Sequence, residues 1–139
     1  MDSTDPGRGY VAVSLVAVPG ACWRCHRDVL PVAGVFVADG SQRRWLEFSS
    51  VAARLAAAAT REQLAALGIG PIKVRASRAR PRGYLANGCL HCDAILGNHP
   101  LREDLVTFLA DGGNLDELIV GTLALPRPNT PPRGFVSGG

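Results

Sequence analysis

Residues 20–28 read GACWRCHRD, and the pattern returns at residues 87–94 as NGCLHCDA. A Cys-x-x-Cys spacing lets a tight turn aim two sulfurs at one ion while backbone N–H groups donate to them. Cys22, Cys25, Cys89 and Cys92 are all the cysteines of the chain, so two such turns complete a four-sulfur shell with none left over. That donor set suits one structural Zn²⁺. Each pair stands between strand-like segments, as a knuckle at the tip of a hairpin does. His26 and His91 sit beside the cysteines and read as loop residues, because four sulfurs already fill the shell.

Sixty-three residues separate Cys25 from Cys89, whereas a compact ribbon has about 15–20. Closing the longer loop costs roughly 1 kcal/mol more. Zinc binding in small modules is worth roughly 10–16 kcal/mol, so the spacing permits the site. It also implies that residues 39–83 form a structured elaboration.

Three other readings of the cysteines are weaker. The plainest is two unrelated pairs of buried or reactive cysteines. A redox pair wants its first cysteine at a helix N-terminus, but the chain after Cys25 runs into Pro31 and a valine-rich strand. The segment Cys22–His26 spells the C-x-x-C-H of haem attachment, which requires export. The short apolar run Tyr10–Val18 follows two acidic residues and makes a poor signal peptide. The expected compartment is therefore the reducing cytoplasm, where clustered cysteines favour metal over disulfides.

The chain has 139 residues, 47% of them hydrophobic, which is enough for one packed domain. Residues 1–9 and the Pro/Gly-rich 126–139 read as flexible tails around a single domain, 10–125. Strands are expected at 10–18, 29–38, 43–48, 72–76, 84–86, 94–96 and 118–125. Asp39-Gly40 predicts a type I′ turn. A helical segment spans 49–67, capped by Ser49 or Ser50 and broken at Thr60, where Thr60-Arg61-Glu62-Gln63 matches a capping box. Pro100 is expected at the first position of a helix running 101–110. The fold class is thus α+β: a small antiparallel zinc-ribbon core, an inserted helical segment and a C-terminal helix.

The segment Gly83–Leu101, GYLANGCLHCDAILGNHPL, resembles uncharacterised bacterial zinc-ribbon proteins, in which an aromatic residue and Asn precede the knuckle. Tyr84, Asn87, Cys89, Cys92, Ala94 and Gly97 fit that pattern, and CWRC resembles its first knuckle. Asp93 departs from it, since Gly is common there. The resemblance implies zinc binding and no particular activity.

The formal net charge is +3. A zinc tetrathiolate would bring it to about +1, too little for a global field that attracts nucleic acid or membrane. One local run, KVRASRARPR, holds Lys73, Arg75, Arg78, Arg80 and Arg82 without an acid. These five are the candidate nucleic-acid contacts, and strand alternation puts Lys73 and Arg75 on one face. The competing reading is a solvated edge strand. Glu103, Asp104, Asp111, Asp116 and Glu117 read as solvated acids. No nucleotide-binding or hydrolase motif is present. The expected function is a non-catalytic zinc-binding adaptor for another protein, with a nucleic-acid-binding ribbon as the alternative and a thiol oxidoreductase as a lesser one. No membrane role is expected.

Overall fold

The computed structural model describes residues 9–126; the two expected tails lie outside them except at their inner ends. Nine strands form among these residues: β1 (Tyr10–Ala17), β2 (Gly20–Ala21), β3 (Asp28–Val29), β4 (Val32–Asp39), β5 (Gln42–Glu47), β6 (Lys73–Arg75), β7 (Tyr84–Gly88), β8 (Ile95–Leu96) and β9 (Ile119–Pro126). Among the described residues three α-helices, α1 (Phe48–Ala58), α2 (Arg61–Ala66) and α3 (Asn98–Ala110), and a 3₁₀ turn at Leu115–Leu118 complete the order. The class is α+β, and its sheets are antiparallel.

The principal sheet has the order β5-β4-β1-β9. Alternation along β1 sends neighbouring residues to opposite faces. Val13 and Leu15 join Val35 and Leu125 beneath α1 and α2, which contribute Val51, Leu55 and Leu64. Val16 packs on the other face with Leu101 of α3, Leu118 and the partly buried Trp45 and Phe108. Helices therefore cover both faces.

Two bulges shape the end of this sheet. Val16 pairs with Gly34 and Ala17 with Val32, so Ala33 is extra on β4. Leu15 pairs with Gly121 and Val16 with Ile119, so Val120 is extra on β9. An extra residue shifts the side-chain alternation by one, which is how Val35 and Val32, an odd number of residues apart, both join the core under α1 while Ala33 packs on the α3 side.

Beyond the bulges the β1–β4 hairpin continues as residues 18–31. The Val18 N–H donates to the Pro31 carbonyl at 3.1 Å, and β2 pairs with β3. The expected strand 29–38 is thus split at Leu30-Pro31, since proline has no N–H to give a ladder. The second small sheet has the order β6-β7-β8.

Three local expectations shift. Asp39 pairs with Gln42, so the turn residues are Gly40 and Ser41. Gly40 has φ 63° and stands where a type II′ turn takes glycine. Helix α1 begins at Phe48, directly from β5, with Glu47 as N-cap and no side-chain cap. Helix α3 begins at Asn98, which puts Pro100 third; the first four N–H groups of a helix lack partners, so proline still fits. The Thr60–Gln63 capping box forms as expected, with bonds of 2.8 and 3.0 Å.

Candidate metal centre

The first cysteine pair lies between β2 and β3, at the tip of the β1–β4 hairpin, and the second lies between β7 and β8. The two loops are built alike. Cys22 Sγ accepts from the N–H groups of Arg24 and Cys25 at 3.3 and 3.5 Å. Cys89 Sγ accepts from those of His91 and Cys92 at 3.3 and 3.4 Å. The residue after each second cysteine has a left-handed backbone: His26 at φ 65° and Asp93 at φ 62°. That turn lets the His26 and Asp93 N–H groups reach back to the Cys22 and Cys89 carbonyls, each at 2.9 Å.

All four sulfurs lie within 4.8 Å of one another. Each loop's first cysteine faces the other's second: Cys22 to Cys92 is 3.7 Å and Cys25 to Cys89 is 3.6 Å. A tetrahedron with metal–sulfur bonds of about 2.3 Å has edges of about 3.8 Å. A disulfide would require about 2.05 Å. The four cysteines are therefore close enough to hold one metal ion. His26 and His91 stay outside this cluster.

The protons show the same convergence. Burial pushes the Cys22 thiol up, but the N–H groups of Cys25 and Arg24 and the thiols of Cys92 and Cys89 outweigh it and bring it down to about 6. At Cys92 the Ala94 N–H lowers the value, while burial and the other three sulfurs raise it further, to about 11. The cluster gives its first proton readily and holds its last, which is the behaviour of thiols sharing one site. A cation of high sulfur affinity displaces those protons.

Cross-contacts lock the loops together. The Trp23 indole N–H donates to the Ile95 carbonyl at 2.6 Å, and the His91 ring meets the Asp28 carbonyl at 3.2 Å. Val29, Ala94 and Leu96 pack around the buried Cys22 and Cys89 as a separate small core.

Three supports of the site have contacts that the sequence does not state. Asn87, 1% exposed, accepts the Val32 N–H at 2.8 Å and donates to the Val32 carbonyl at 3.1 Å. It joins β7 to β4, and its position in an apolar strand just before a cysteine was the available signal. Arg75 is 8% exposed. Its guanidinium donates to the carbonyls of Asp93 and Pro71 at 2.9 and 2.8 Å and to Asp93 Oδ1 at 2.9 Å. Lys73 reaches the other Asp93 oxygen at 2.9 Å. Burial alone would raise the Asp93 carboxyl, but Lys73 and Arg75 hold it below the usual carboxylate range. Thirdly, a Cβ on Gly88 would overlap the Arg75 guanidinium, and one on Gly70 would overlap the Gly88 carbonyl. These glycines let the chain close behind the second loop.

Of the five basic candidates, Lys73 and Arg75 share a face, as alternation requires, and both are engaged with Asp93. Arg78, Arg80 and Arg82 are exposed in the turn between β6 and β7, with Arg80 over the Tyr84 ring at 4.6 Å. The acids are dispersed at the surface: Asp116 pairs with Arg43 at 2.6 Å, Glu103 lies 3.2 Å from His99 and Glu117 receives the Asn114 N–H at 3.1 Å. Among the described residues no helix is long and apolar enough to cross a membrane. No protein-family model matches this chain, and neither a curated protein nor a solved structure matches it.

Proposed function

We propose that Cys22, Cys25, Cys89 and Cys92 hold one structural Zn²⁺, and that the chain is a non-catalytic, zinc-stabilised module that acts by binding another protein. The convergence of four sulfurs from two distant hairpins carries this reading. A four-sulfur donor set selects zinc over hard cations. Bound zinc would neutralise clustered thiolates and cross-link the loops; a closed shell keeps no position for activating water. Among the described residues the dispersed acids supply no alternative catalytic cluster. Trp23 and Leu90 occupy equivalent positions after the first cysteine of each loop, and both are exposed. An exposed tryptophan such as Trp23 is the type of side chain that a protein interface uses as an anchor.

Elemental analysis of the purified protein tests the metal. The expected result is one zinc per chain, with four thiols becoming reactive together on chelation. A metal-free protein with Cys22 labelled in the native state would favour the thiol oxidoreductase instead. The exposed Arg78, Arg80 and Arg82 favour a second reading, nucleic-acid binding. It requires salt-sensitive retention of nucleic acid that weakens when Arg78 and Arg80 are replaced by Ala.

A further inference from the structure

The metal centre leaves unexplained a cavity of about 720 Å³ on the α3 face of the principal sheet. It lies between α3 and the β5–α1 junction, and the turn between β6 and β7 closes its third side. Its volume falls in the range of about 300–1,000 Å³ typical of small-molecule sites. Aromatic and aliphatic side chains line it, among them Trp45, Tyr84, Leu105 and Val106. Val106 is 59% exposed and Leu109, also on its wall, 40%. Helix α3 thus shows apolar surface here that the core does not cover.

The charges give the occupant a sign. Glu47, Arg80 and Arg102 are the charged residues on the wall. Glu47 is answered by Arg102 at 3.3 Å. Arg80 has no carboxylate partner among the described residues and is held by the Tyr84 ring. Phe48 and Asn98, the first residues of α1 and α3, also line the cavity, and neither helix has a side-chain cap or an acid in its first turn. The positive end of α3 adds to the charge of Arg80, whereas Glu47 already stands at the N-cap of α1.

We propose that this cavity binds a small organic carboxylate with an apolar body, its chain or ring on Trp45 and α3 and its carboxylate on Arg80. Aliphatic and aromatic acids share this chemistry, so decanoate and 2-naphthoate are the probes, with decanol and inorganic phosphate as controls for each half. Calorimetric titration of the full, metal-loaded chain should show saturable binding of at least one acid, with phosphate alone silent. Arg80→Ala should weaken acid binding about tenfold, the value of one charge-assisted contact, and leave decanol unaffected. Val106→Trp, at an exposed helix position, should block the mouth and abolish binding of both. Arg78→Ala and Arg82→Ala, off the wall, should change nothing. Absence of binding by both acids, binding that survives Val106→Trp, or equal losses for all three arginines would overturn the proposal.

Discussion

Equivalent residues in the two cysteine loops carry opposite consequences. His26 and Asp93 both take a left-handed backbone, which costs an L-residue roughly 1–2 kcal/mol and which glycine adopts freely. Asp93 offsets that strain through Lys73 and Arg75. His26 makes no side-chain hydrogen bond among the described residues. His26→Gly should therefore stabilise the metal-loaded protein by about 0.5–1 kcal/mol after glycine's greater unfolded-state entropy is counted. Asp93→Gly should not stabilise it, because Arg75 would lose the carboxylate it is buried against. Urea titrations of the two variants decide this, and a parallel response would show the ion pairs to be inert. Asn87 makes the second residue-scale test. Asn87→Ala leaves the buried Val32 N–H and carbonyl without their partner and should lower stability by about 1–3 kcal/mol, read as an earlier urea midpoint at unchanged slope. The resemblance to zinc-ribbon sequences marked Asn87, but its partner 55 residues away could not be read from the chain.

At the scale of elements, what was legible is what local chemistry decides alone. The Thr60 capping box is a bargain struck within four residues, and it forms. The start of α1 is not local. Ser49 and Ser50 have the right side chains, but the pairing of β5 with β4 already ends at Glu47, ahead of both serines, and burial of Phe48 sets the first turn there. The hairpin turn moved one residue for the same reason, since register across β4 and β5 outranks the preference of Asp39-Gly40. Thr60→Ala should consequently cost about 1 kcal/mol, whereas Ser50→Ala, at an exposed site with no cap bond, should be near neutral. Thermal unfolding of the two variants separates a working cap from an apparent one.

For the whole molecule, the site was readable and the sheet that carries it was not. Spacing alone predicted that Cys22, Cys25, Cys89 and Cys92 converge, and their sulfurs do. Nothing local states that β9 returns beside β1, or that both faces of that sheet are covered; such pairings depend on which apolar faces meet. This division has a thermodynamic consequence. The cysteine loops rest on their own small cluster, whereas Leu15, Leu55, Leu64 and Ile69 belong to a separate core reaching across β1, β4, α1 and α2. Metal removal should therefore unfold the molecule in part. After chelation at neutral pH, hydrogen exchange should accelerate across residues 20–29 and 84–96 while β1, β4 and α1 stay protected. Acid should act in the same direction, since protons compete with the metal for thiolates. The Cys22 thiol, lowered from 9.0 to about 6, stabilises the metal-free fold above its unfolded value, and that contribution is lost as pH falls through about 6. Partial opening near pH 5, reversed by raising the pH and adding zinc, is the expected behaviour. Loss of protection in β1 and β4 together with the loops would mean that the sheet cannot stand without its metal-bound end.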